Sequence, residues 1–68
     1  MERNVEKMSM RAFRIDRGMT QSEFAKALNV TKKTVGSWEA GKTHPQLDKI
    51  EAICKVLNVP YDSIRWNI

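Results

Sequence analysis

The chain has 68 residues, which is room for one small domain with a modest core. Its 41% apolar and 29% charged residues suit a soluble globular chain, and no apolar run approaches the roughly 18 residues of a membrane span. The 12 Lys and Arg outnumber the 8 Asp and Glu, for a net charge of +4, and the excess sits in residues 1–46, with nine basic and five acidic groups against three of each in 47–68. That asymmetry points to an anionic partner on one face, although a merely soluble surface can carry the same charge.

Strand signals are weak, since no stretch alternates apolar and polar residues for long, and helical spacing recurs instead. Met10 and Phe13 lie at i, i+3, as do Ala12 and Ile15, and Gly18 follows Arg17 as a C-terminal glycine should. Helix 1 is therefore placed at Ser9 to Arg17, with residues 1–8 either a loose arm or a backward extension through Val5 and Met8. Thr20 to Glu23, T-Q-S-E, has capping-box form, and Phe24, Ala25 and Leu28 follow at helical spacing, so helix 2 runs from Gln21 to Leu28. Asn29 tolerates the left-handed conformation that ends it.

Thr31 is a good N-cap for helix 3, in which Val35 and Trp38 face inward and Lys32, Lys33, Gly36 and Ser37 face outward, up to a stop at Gly41. Pro45 disfavours helix at His44, which makes Lys42 to Pro45 a loop. Leu47, Ile50, Ile53, Cys54 and Leu57 form the apolar stripe of helix 4, stopped by Asn58. Pro60 suits the first turn of a helix 5 from Pro60 to Arg65, with Trp66 to Ile68 as a tail. The expected fold is an all-α five-helix bundle: residues 1–8 an arm or extension, 9–65 the domain, 66–68 the tail.

Helices 2 and 3 are separated only by Asn29, Val30 and Thr31, a helix-turn-helix pattern. A short turn projects helix 3 from the body, and an exposed helix fits the major groove of B-DNA. Helix 3 also breaks its own local rules. Lys32 and Lys33 occupy a first turn that prefers acids, and Gly36 stands where Ala is better by about 1 kcal/mol. A negatively charged ligand explains both, with the lysines gaining acceptors and Gly36 letting the backbone come close.

The stretch TQSEFAKALNVTKKTVGSWEAGKTHP resembles the phage-repressor and Cro-like (Xre-type) helix-turn-helix family. The TQ-x-E-x-A start, the V-T turn, the W-E-x-G-K-x-x-P ending and the L-x-x-I-x-x-I-C-x-x-L-N-V run all match its pattern, over about Met10 to Ile64. Asn29 stands where the family often has glycine, and Gly36 where a polar residue is commoner. The resemblance implies that Lys32, Lys33 and Ser37 read base edges. It places Gln21 on phosphate and against the recognition helix, and Lys42 and Thr43 in a loop on the DNA backbone; Thr20 and Thr31, as helix caps, and Gly36, which has no side chain to stand off, are further candidates for positioning that backbone. It also implies an Arg14–Glu39 ion pair between helix 1 and the end of helix 3; each is a charge on an inward-leaning side that needs a partner if partly buried.

Other chemistry is not signalled. The lone Cys54 excludes an internal disulfide, fits a reducing compartment and reads as a small buried hydrophobe. His44 is the only histidine, so no histidine cluster for a metal exists, and no catalytic triad, paired carboxylates or phosphate loop stands out; neither an enzyme nor a cofactor is expected. MERNVEKMSM lacks the apolar core of a signal peptide, so the expected location is the cytoplasm. The function expected is a sequence-specific regulator of transcription, a repressor that occupies an operator and blocks polymerase. The alternative is an antitoxin that binds a toxin protein and represses its own operon. One domain reads few base pairs, so a homodimer on a palindromic operator is expected. Tyr61, Trp66 and Ile68 are candidate dimer contacts; for Trp66, packing back on helix 1 against Ala12 or Ile15 is the competing placement.

Overall fold

The computed structural model describes residues 8–66. In chain order the elements are β1 (Met8–Ser9), α1 (Met10–Asp16), α2 (Gln21–Leu28), α3 (Lys32–Glu39), α4 (Leu47–Leu57), a 3₁₀ turn (Tyr61–Ser63) and β2 (Ile64–Arg65). None of the four helices exceeds 11 residues. Helices this short are marginal alone in water, so packing and end chemistry must hold them.

The N-terminal ends are capped by side chains where the sequence offers them. Ser9 Oγ accepts from the Ala12 N–H at 3.0 Å. At α2 the capping box is complete, with the Glu23 N–H donating to Thr20 Oγ1 at 3.0 Å and the Thr20 N–H to Glu23 Oε1 at 2.8 Å. Thr31 Oγ1 accepts from the Thr34 N–H at 3.1 Å. The C-terminal ends share one device. Gly18, Asn29, Gly41 and Asn58 all have left-handed φ, between 58° and 80°. The following N–H then reaches back five residues: Met19 to Arg14, Val30 to Ala25, Lys42 to Ser37 and Val59 to Cys54, at 2.9–3.1 Å. Distant cations add to this, since Lys49 Nζ donates to the Leu28 carbonyl at 3.0 Å and Arg17 Nε to that of Leu57 at 2.8 Å. Each places positive charge at the negative end of a helix.

The core lies under α2, which packs on both α3 and α4. Phe24, Val35, Ile53 and Leu57 are fully enclosed, with Met10 and Phe13 from α1, Leu28 from α2, Trp38 from α3 and Ile64 from β2 around them. Burying each large side chain contributes about 1.5–3 kcal/mol.

The C-terminal segment departs from the five-helix expectation. Only three residues after Pro60 turn helically, in 3₁₀ form, and Ile64 is extended at φ −102°, ψ 135°. Ile64 and Arg65 instead pair in parallel with Met8 and Ser9. Ile64 thereby reaches the core from an extended backbone. Met8 belongs to β1 and does not prolong helix 1; the rest of the proposed arm, residues 1–7, lies outside the described residues, as does Ile68. Trp66 stacks on Tyr61, with ring centroids 5.4 Å apart, and its indole N–H donates to the Tyr61 carbonyl at 3.1 Å. Trp66 is half-buried and packs against the core as well as its own 3₁₀ turn, while Ile15, one of the two helix 1 residues expected to meet it, is exposed. The α4 stripe also divides: Ile53 and Leu57 enter the core, whereas Leu47 is exposed and Ile50 and Cys54 are half-buried. Cys54 packs against the core from the margin of the stripe, less enclosed than expected, and partial burial raises its thiol pKa above the ordinary value.

A buried clamp sets α3 against α1. Arg14 Nε donates to Glu39 Oε2 at 2.7 Å and Arg14 Nη2 to Glu39 Oε1 at 3.2 Å, with the side chains only 8% and 4% exposed. Arg14 Nη1 also donates to the Met19 carbonyl at 2.7 Å. The fork-to-carboxylate geometry makes a strong charge-assisted pair, and removing either partner strands the other in a site poor in water.

Two substitution sets test these devices. Asn58→Ala forces an L side chain without local hydrogen bonding into left-handed backbone, and thermal melts should show a loss of about 1–2 kcal/mol, whereas Asn58→Gly should stay within about 0.5 kcal/mol of wild type. In a double-mutant cycle, Arg14→Ala and Glu39→Ala should each cost roughly 3 kcal/mol or more in denaturant titrations, and the double change should cost at least about 1 kcal/mol less than the two together.

Candidate nucleic-acid interface

The candidate interface is built on the α2–turn–α3 unit. Asn29, in left-handed backbone, ends α2, and Thr31 caps α3 only two residues later. Thr31 has a further tie, its hydroxyl lying 2.9 Å from that of Thr34. Val35 and Trp38 face the core, so helical spacing turns Lys32 and Lys33 outward, and both are exposed. The first turn of α3 contains no acidic residue to offset them.

Gln21, Lys32, Lys33, Gly36, Ser37 and Lys42 line one open concavity of about 420 Å³ together with Ala40. Three of the lining side chains are cations, and these draw an anion toward the exposed end of α3. Gln21 is fixed within it, because its amide Nε2 donates to Glu39 Oε1 at 2.9 Å. Glu39 thus accepts from α1 and α2 together, and Gln21 ties the start of α2 to the C-terminal end of α3.

The remaining candidates fall in different places. Thr20 and Thr31 are exposed at the starts of α2 and α3, where their hydroxyl oxygens accept cap bonds from the backbone. Thr43 is exposed in the loop after α3, with its N–H 3.4 Å from the Ser37 carbonyl. His44 is exposed in the same loop. Tyr61 and Trp66 are stacked beyond α4 and do not line the concavity. Among the described residues, no group of three or more His, Cys, Asp or Glu side chains is placed to hold a metal, and no helix is long and apolar enough to cross a membrane.

Two features of this region escape a reading by spacing. The Gln21–Glu39 bond joins residues 18 apart in sequence, and the Arg14–Met19 carbonyl bond satisfies a backbone group that no side-chain pattern signals. The pair of charges on inward-leaning helix sides hints at the first, as does the family resemblance at Gln21; neither points to the Met19 carbonyl.

Known proteins resemble this chain in sequence and in fold. The helix-turn-helix family model matches residues 10–64. The chain is 36% identical over 64 residues to the uncharacterised HTH-type transcriptional regulator YazB of Bacillus subtilis, covering 94% of this chain and 93% of that protein. It is 27% identical over 55 residues to the HTH-type transcriptional activator BcrR of Enterococcus faecalis, which covers 81% of this chain but only 27% of that longer protein. The crystal structure of the clp gene regulator ClgR from Corynebacterium glutamicum superposes with a TM-score of 0.74 at 26% identity, over 78% of this chain and 56% of that one. The four helices, the three-residue turn between α2 and α3 and the matched span together place the chain in the phage-repressor-like helix-turn-helix family of transcriptional regulators.

Proposed function

We propose that the chain binds duplex DNA sequence-specifically, with residues 9–65 as the binding unit, and represses transcription from the cytoplasm by occupying an operator. The observation that carries this reading is the exposed N-terminal end of α3, where Lys32 and Lys33 stand without an acid beside a concavity that also holds Lys42. A helix start with this composition is incomplete until an anion or a guanine edge approaches. Lys32, Lys33 and Ser37 take base edges. Gln21, Thr20, Thr31, Lys42 and Thr43 position the DNA backbone. The relatives named above are transcription regulators, which favours this reading over the antitoxin.

The operator is palindromic and the protein binds it as a homodimer, with two recognition helices about 34 Å apart. The surface that favours a second copy is the groove along α4, about 660 Å³, walled by Leu47, Ile50, Ala52, Cys54 and Tyr61. Leu47 is 71% and Tyr61 55% exposed, although both are large and apolar. The charges lining the groove complement themselves. Asp48 and Glu51 lie toward the start of α4 and Lys55 toward its end. Two copies facing each other about a two-fold, helices antiparallel, set the acids of one beside the lysine of the other. Trp66 contributes by holding the Tyr61 ring, and the groove shares no residue with the concavity at α3.

Selection from a random duplex library followed by titration of the selected site tests the first part. Lys33→Ala should cost about 1–3 kcal/mol on that site and relax its base preference, while Lys42→Ala should weaken all duplexes alike and lower the salt slope by about one. Wild-type operator binding by the Lys32→Ala/Lys33→Ala double variant would falsify the assignment of α3. For the second part, sedimentation of the wild type should show a concentration-dependent dimer, and Leu47→Glu/Tyr61→Glu should remain a monomer with unchanged helix content. A wild type that is monomeric both free and on palindromic DNA removes the dimer.

A further inference from the structure

Gly36 lies inside a right-handed helix, where alanine is the better residue, and the fold supplies no reason for it. A Cβ added there meets no atom within 4 Å apart from its chain neighbours and the backbone of its own helix, so neither a close neighbour nor a strained backbone requires glycine. What remains is the outward face. Gly36 lines the concavity between Lys32 and Lys33 on one side and Ser37 and Ala40 on the other. Its carbonyl already accepts from the Ala40 N–H at 2.9 Å, and neither Gly36 nor Ala40 has a polar side-chain atom. The surface at Gly36 is therefore a notch with no hydrogen-bonding side chain in its floor, ringed by lysines and a serine.

We infer that Gly36 determines specificity: the notch it leaves seats the 5-methyl group of a thymine in the major groove, while Lys33 and Ser37 read polar base edges beside it. This rests on the DNA-binding reading given above. A phosphate in the notch has its donors at the rim rather than in the floor, and a polar base edge pressed there loses its water partners without replacement. The thymine methyl is the one apolar group that a major-groove base edge presents, and it needs space and no partner. An alanine at position 36 puts its own methyl where the thymine methyl goes.

The test uses the full chain and a duplex selected by it from a random library. Each thymine of the half-site is exchanged singly for deoxyuridine, which deletes one methyl and keeps base pairing. One position should lose about three- to fivefold in affinity, the effect of one buried methyl. Gly36→Ala should melt at the wild-type temperature or above, bind the selected site more weakly than wild type, and show a thymine-to-deoxyuridine ratio near one at that position. Gly36→Ser should lose the same ratio. If every exchange is silent for the wild type, or if Gly36→Ala keeps the wild-type ratio, the assignment of Gly36 is overturned while DNA binding stands. A chain that selects no duplex at all overturns the DNA-binding reading, and this assignment with it.

Discussion

The exposed face of α3 depends on one buried carboxylate. Glu39 sits in the last turn of α3, where the helix dipole disfavours an acid, and its site is shielded from water. It is tolerable there because Arg14 from α1 and Gln21 from α2 both donate to it. Three hydrogen bonds to one carboxylate satisfy most of its acceptor capacity, which is the condition under which a buried ion pair does not become a liability. The consequence is mechanical. An eight-residue helix has little stability of its own, and anchoring its C-terminal end to two other helices fixes the direction in which its N-terminal end points.

This anchoring divides the labour along α3. Its inner side carries Val35 and Trp38 into the core, its last turn carries the clamp, and its first turn is left for a ligand. The other helices show how the remaining chain supports that arrangement. Each ends on a left-handed residue followed by a reach-back hydrogen bond, so the direction of the chain changes within two or three residues. Lys49 and Arg17 then bridge the ends of α2 and α4 to neighbouring elements, fastening the α2–α3 unit to the rest of the core. In a chain of 68 residues these economies leave both the α3 face and the α4 groove free of packing duties.

Helix positions were legible in the sequence wherever local chemistry and apolar spacing agreed. Thr20 with Glu23, Asn29, Thr31 and Asn58 mark ends that the structure places within a residue of expectation, because capping and left-handed termination are properties of a few adjacent residues. The residues of the α3 concavity follow from the same spacing, since fixing Val35 and Trp38 inward leaves only one direction for Lys32, Lys33 and Gly36. The C-terminal segment was illegible for a physical reason. Two-residue strands have no room to alternate, and pairing between Met8 and Ile64 spans almost the whole chain. Pro60 signals a helix start with equal strength for three residues or for ten, so it could not distinguish a 3₁₀ turn from helix 5. Leu47 misled for a related reason: one stripe on α4 serves two surfaces, and periodicity does not say which members meet the core.

The contrast between α2 and α3 locates the function more sharply than charge does. Both helices have eight residues. α2 obeys every local rule, with a full capping box, an acid in its first turn and a lysine in its last. α3 has lysines where acids belong, an acid where a base belongs and a glycine in its interior. Taken singly these features cost a few tenths to about 1 kcal/mol each, so together they are a substantial fraction of what a small domain can spare. The acid is accounted for by Arg14 and Gln21. The lysines and the glycine have no such account inside the fold: Lys32 and Lys33 face outward, and the space beside Gly36 is open. Local rules broken without internal compensation are the signature of a surface shaped for a ligand. In α3 the uncompensated residues lie in one concavity, at the end of the helix that the clamp leaves free.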